Sequence, residues 1–266
     1  MANKVLEKTL NNVSSEDLRS GYAAPGQVAT DAFGNSTNPP VSFADTADSM
    51  SVTGSARAAM VLFAILVAVG TWAWISVPDS SAGLYLIGSL IVALVLGLVT
   101  SFKPHLARAT APLYAAFEGV VLGLISKIYE DAYNGIVVQA VLATGAIVFV
   151  MYTLYSTRIV KVTPRFQRVV GAAMLAAMLF YGVTLILSLF GSSFIEFQNS
   201  GLLGIILPVI MIAIGAGMLA TDFDFIERGS QQGLPKYMNW AAAYGLIVSI
   251  VWIYIHFLRL IANSRR

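Results

Sequence analysis

Cysteine is absent from all 266 residues, which excludes disulfides, thiolate metal sites and a cysteine nucleophile. Charge is scarce too. Asp, Glu, Lys and Arg make up 11% of the chain, against about 25% in an ordinary soluble domain, and 57% of residues are hydrophobic. That balance excludes a soluble globule. A formal net charge of +2 is too small to argue for a nucleic-acid partner or a strongly polybasic surface. Enzyme motifs are missing: there is no HExxH, GxSxG, P-loop or GxGxxG followed by an acidic residue, so neither an enzyme nor a bound cofactor is expected. The two histidines, His105 and His256, fall on opposite sides of the expected membrane, which argues against a histidine metal site.

What remains is hydrocarbon. Mean hydropathy is +0.76, an average over a polar beginning and a still more apolar body. Residues 1–56 are rich in Ser, Asn, Asp, Gly and Pro, as in Asn35-Ser36-Thr37-Asn38-Pro39-Pro40. With no helical or strand period they read as a disordered tail. Met1 to Ser20 never turns apolar, so no signal peptide is expected. Residues 57–266 read as a transmembrane domain. Against a requirement of about 20 mostly apolar residues per crossing, seven spans fit: 58–77, 83–102, 109–128, 134–155, 169–190, 201–224 and 239–261. The fold class expected is all-α, a seven-transmembrane-helix bundle.

Lys and Arg in short loops set orientation. With the N-terminus cytoplasmic, the inner side holds Arg57, Lys103, Arg108, Arg158, Lys161, Arg165, Arg168, Arg228 and Lys236. The outer side holds only Lys127, Arg259, Arg265 and Arg266. The N-terminus is therefore expected inside.

Ionisable groups within spans are costly and mark function, pairing or both. Glu118 lies mid-way along the third span, beside the small-xxx-small pair Gly119 and Gly123, which lets another helix approach closely. Its bland reading is a neutral side chain bonded to a neighbouring helix. Asp222 and Asp224 are two apart, hence about 200° apart on a regular helix, and cannot face one partner together. Asp224 shares a face with Ala213, Gly217, Ala220 and Thr221 and has Arg228 at i+4. Asp222 shares one with Gly215, Met218 and Leu219, and its i+4 position is Ile226. Asp222 is thus the harder residue to explain structurally. On the seventh span Ala242, Gly245, Ser249, Trp252, His256 and Arg259 form a stripe too small and polar for lipid; His256, near its far end, reads as an interfacial residue.

Four segments carry a resemblance: Pro112-Leu113-Tyr114-Ala115-Ala116-Phe117-Glu118-Gly119; the loop from Arg158 to Phe166 with Val162-Thr163-Pro164; Asp222-Phe223-Asp224-Phe225-Ile226-Glu227-Arg228-Gly229; and Pro235-Lys236-Tyr237-Met238-Asn239-Trp240. Together they resemble a bacterial branch of the transmembrane Bax-inhibitor motif family, the branch often labelled YccA-like. The resemblance implies that the last helix is central, surrounded by the other six. It implies a pH-sensitive calcium leak channel of the bacterial plasma membrane, in which aspartates on the sixth and seventh helices share a proton and close the pore. Asp222 or Asp224 matches the sixth-helix aspartate, Asp224 slightly the better. At the seventh-helix position stands Ser249, and no Asp or Glu follows Glu227. The sixth-helix acid is therefore expected to bond Ser249 or Asn239, or to use Glu118 as its second carboxylate. Calcium prefers six to eight oxygen ligands, so Asp222, Asp224, Glu227 and Glu118 suggest at most a weak path for transient calcium. The rival expectation is a non-transporting regulator of a membrane protease or other membrane partner.

Overall fold

The computed structural model describes residues 49–189 and 201–265. Among them seven long helices follow in order: α1 (Val52–Ser76), α2 (Asp79–Phe102), α3 (Ala107–Ala132), α4 (Ile136–Ser156), α5 (Pro164–Leu189), α6 (Leu203–Gln231) and α7 (Met238–Ser264), with one 3-10 turn at Pro104–Leu106. All seven are long and apolar enough to cross a membrane, and the chain is an integral membrane protein of the all-α class. The helices are longer than the expected spans; α6 continues to Gln231, past the expected end at 224. Position 190, the expected end of the fifth span, lies outside the described residues.

Residues 1–48 of the expected tail also lie outside the described residues. Residues 49–56 are built into the helical domain. Ser49 forms an antiparallel bridge with Pro235, and the Met50 amide donates to the Leu234 carbonyl at 2.6 Å. Ser51 caps α1, its hydroxyl accepting from the Gly54 amide at 3.0 Å, so helix begins at Val52 rather than at 57. Met50 is fully buried over Gly229, where a Cβ would sit 2.7 Å from its sulfur. Asn239 completes the seam: its side-chain oxygen accepts from the Ser51 amide at 3.1 Å and the Ser55 hydroxyl at 2.9 Å. A neutral amide thereby ties the start of α7 to the start of α1.

Lipid tails are as apolar as leucine, so helices in a bilayer associate by close packing and by hydrogen bonds rather than by the hydrophobic effect. The α1–α3 contact is of that kind. A Cβ on Gly123 would lie 2.2 Å from the Gly70 carbonyl oxygen, and one on Gly119 2.7 Å from the Leu66 oxygen. The small-residue pair on α3 thus meets a glycine on α1. Helix α7 packs against α1, α2, α3, α4 and α6 and reaches α5 through side chains, since Tyr181 bonds His256 and Arg259. The last helix is central. Glu130, at the end of α3, accepts from the Gly135 and Val137 amides at 2.6 and 3.1 Å, capping α4 with a carboxylate.

Gly123→Ala should force α1 and α3 apart and cost about 1–3 kcal/mol, the usual range for overpacking. Thermal unfolding in detergent should show a lower midpoint. Gly88→Ala, where a Cβ meets nothing within 4 Å, should leave it unchanged or raise it.

Candidate functional site

The C-terminal half of α6 carries three acids, and helical geometry sends each to a different neighbour. Gly215, on the Asp222 face, packs against α7: a Cβ there would lie 2.6 Å from the Ile253 side chain. Gly217, on the Asp224 face, packs against α5, where an added Cβ would lie 2.9 Å from the Val170 side chain. The two stripes visible in the sequence therefore address two different helices.

Asp222 meets α7. The Ser249 hydroxyl donates to its Oδ2 at 2.5 Å, and Gly245 leaves the room it needs, since a Cβ there would stand 3.0 Å from Oδ1. Ser249 itself is fully buried. Asp224, the slightly better match for the sixth-helix acid by sequence, turns away from α7. Its buried carboxylate accepts from Arg228 Nε at 2.9 Å and from Gln167 Nε2 of α5 at 3.1 Å. Arg228 in turn donates to the Val162 carbonyl, between α4 and α5, at 2.8 Å. Glu227 faces a third way, accepting from the Tyr155 hydroxyl of α4 and from Arg158 at 2.5 Å. Arg158 has a left-handed backbone, φ 59°, which costs a non-glycine residue about 1–2 kcal/mol. Its ion pair with Glu227 and its place 5.9 Å over the Tyr155 ring hold it there.

Glu118 is buried but belongs to another seam. It is hydrogen-bonded to Tyr114 one turn earlier. The Tyr114 ring meets Tyr244 of α7 edge-on at 4.9 Å, and the Tyr244 hydroxyl donates to the Gly97 carbonyl of α2 at 3.1 Å. Tyr244 and Gly245 are successive residues, about 100° apart around α7. Glu118 thus lies on the α2–α3 side of the central helix and Asp222 on the α6 side. The structure brings Asp222 and Ser249 together; it does not bring Glu118 to Asp222, nor Asn239, which is engaged with α1. Among the described residues no three His, Asp or Glu side chains cluster as a metal site.

Two cavities separate the candidates further. One of about 1060 Å³ lies between α1 and α4. Its lining is nearly all apolar and includes none of the acids, and four of its hydroxyls are already bonded: Thr71 to Val67, Thr144 to Ala140, and Ser126 to Tyr254. A smaller one of about 340 Å³ lies between α5 and α6, with Gln167 and Asp222 both in its wall. This second cavity reaches the chemistry.

Sequence reasoning missed Gln167, a neutral amide in a basic segment that gives no signal by itself. It also placed His256 at an interface. His256 is buried, with Nδ1 at 2.7 Å from the Trp252 carbonyl and Nε2 at 3.0 Å from the Tyr181 hydroxyl. Its signal was present in the polar stripe of α7.

A family model described as Bax inhibitor 1 like matches residues 7–266. Neither a curated protein nor a solved structure matches the chain.

Arg228→Ala should strand the buried Asp224 carboxylate and cost about 1–3 kcal/mol. Arg158→Ala, removing a two-thirds exposed partner, should cost no more than about 1 kcal/mol. Denaturation of both variants in detergent should give that order, and adding Asp224→Asn should recover part of the Arg228→Ala loss only.

Proposed function

The chain belongs to the Bax inhibitor 1 like family, and we propose that it is a pH-sensitive cation leak channel, passing calcium, gated at the contact of α6 with α7. One observation carries this reading: Asp222, deep in a membrane helix, is bonded to the hydroxyl of Ser249 on the central helix and has no cation of its own. The nearest arginine on its helix, Arg228, is engaged by Asp224.

The chemistry follows from desolvation. A protonated Asp222 accepts the Ser249 hydrogen bond and needs no counter-ion. An ionised Asp222 needs either water or a cation, because an unpaired charge in a low-dielectric interior is expensive. Ionisation therefore favours entry of water and a cation beside Asp222, and protonation favours their exclusion. With Ser249 in place of a second acid, one carboxylate titrates instead of a coupled pair. Glu118, across α7, acts separately by fixing Tyr114 and Tyr244. The positive-inside count supports a cytoplasmic N-terminus, and the YccA-like resemblance supports a bacterial plasma membrane as the location we propose.

A second reading is a non-transporting regulator that binds a membrane protease or another membrane partner. It is favoured by the complete pairing of Asp224 and Glu227, which leaves one acid of the three on α6 for transport. Pull-down with and without residues 1–48, which leaves the cap and start of α1 intact, measures it: binding lost with that segment, from protein whose liposomes stay tight, supports the regulator.

Reconstituted protein should leak calcium into liposomes, with flux rising between about pH 5 and 8, the range in which a shifted carboxyl can titrate. Asp222→Asn, neutral at every pH, should flatten that dependence. Ser249→Ala should shift it while leaving it in place. Flux no greater than in protein-free liposomes across the whole range would sink the channel reading.

A further inference from the structure

Helix α5 is the least enclosed of the seven, with 12% of its apolar window buried. It packs along α6 and reaches α7 at Tyr181. Between α5 and α6 lies the cavity of about 340 Å³. Its walls are Val170, Met174 and Met178 on one side and Met218 and Thr221 on the other, with Asp222 among them. Thioether side chains are unbranched and adaptable, so such walls can rearrange without a backbone change.

The other faces of Asp222 are closed. On α7 Gly245 and Ser249 press directly on the carboxylate, and Gly215 one face over is filled by Ile253 and Trp252. Among the described residues the cavity wall holds no charged side chain other than Asp222, and its polar side chain on the α5 side is Gln167. That glutamine has two roles. It lines the cavity, and it donates to Asp224, which is held by Arg228, which holds the Val162 carbonyl. A continuous chain of bonds from Val162 through Arg228 and Asp224 to Gln167 thus ties the segment before α5, and α5 itself, to α6. Asp222 stands nine residues before the end of α6 at Gln231, a depth of about 14 Å at 1.5 Å per residue.

We propose that the cleft between α5 and α6 is the route by which water and cations reach Asp222, and that the Val162–Arg228–Asp224–Gln167 chain is the latch that holds α5 against it. The function of the route rests on the channel reading above; its existence does not. The acid with the cation partner is thereby a positioning residue, and the acid without one is the group that the latch guards.

The absence of cysteine makes the test direct, because any introduced cysteine is the only thiol in the chain. Thr221→Cys, Met174→Cys and Val183→Cys are each placed in the full-length protein in liposomes and exposed to a charged, membrane-impermeant methanethiosulfonate. Val183 is 54% exposed on α5 and is absent from the cleft wall, so it should stay unreactive. Thr221→Cys and Met174→Cys should react slowly, and about tenfold faster when Gln167→Ala is added, the change commanded by one hydrogen bond to a carboxylate. Arg228→Gln should act in the same direction, so that the result does not hang on one variant; protein that elutes as a single folded species is compared throughout. Labelling at Thr221 and Met174 that is no faster than at Val183, or that ignores both latch variants, overturns the inference. The two readings fail separately. Latch-dependent labelling without calcium flux removes the channel and keeps the cleft. Calcium flux indifferent to Gln167→Ala and to modification at Thr221→Cys removes the cleft and keeps the channel.

Discussion

In hydrocarbon a polar group has no water to fall back on, so every buried donor and acceptor must find a partner within the protein. Among the described residues no buried side-chain nitrogen or oxygen lacks one. This requirement decides where each acid of α6 goes. Asp224 and Glu227 find arginines near the end of the helix, where Arg228 and Arg158 remain half and two-thirds exposed and keep part of their hydration. Asp222 lies two residues before Asp224, about half a turn further in, on a different face, and has no arginine. It takes a hydroxyl from the central helix instead, a partner that suits a neutral carboxyl and leaves an ionised one under-served. The same constraint that pairs two of the acids with arginines leaves the third with a neutral partner only, which is why the proposed sensor is Asp222.

Ser249 changes the kind of sensor that can stand here. Two carboxylates in contact repel, and their proton belongs to the pair. A carboxylate facing a hydroxyl has no such coupling, so its titration follows the access of water and cations rather than the charge of a twin. In the proposed channel, control would then pass to whatever governs access to Asp222, and the cavity beside it lies against α5.

Much of this was legible in residue spacing. Long apolar runs announced seven helices, and Gly119 and Gly123 announced a close approach that Gly70 answers. The 200° between Asp222 and Asp224 announced two separate seams, and Arg228 at i+4 announced the ion pair. What spacing could not supply is azimuth between helices. Glu118 and Asp222 both lie within spans, yet they sit at different faces of α7, because Tyr244 and Gly245 point about 100° apart. Composition misjudged residues 49–56 for a related reason. A polar segment reads as solvated unless its partners are visible, and those partners, Leu234, Pro235 and Asn239, lie more than 180 residues away.

The two sides of the bundle are held by different physics, and the difference bears on movement. The α1–α3 contact is backbone against backbone, with glycine carbonyls where side chains would clash; such a contact cannot slide without losing its packing outright. Asn239 fastens α7 to the start of α1, and buried Met50 packs the segment before α1 onto Gly229 of α6. At the start of α5 the polar bonds to α6 are few and gathered at the end where Gln167 and Arg228 lie, and the walls above them are methionine and valine. Hydrogen bonds at the edge of a membrane can exchange with water at small net cost, whereas interdigitated glycines have nothing to exchange with. In the proposed channel a change of charge at Asp222 would therefore meet close packing on α7 and adaptable side chains on α5, and the α5 side is where the bundle is expected to yield.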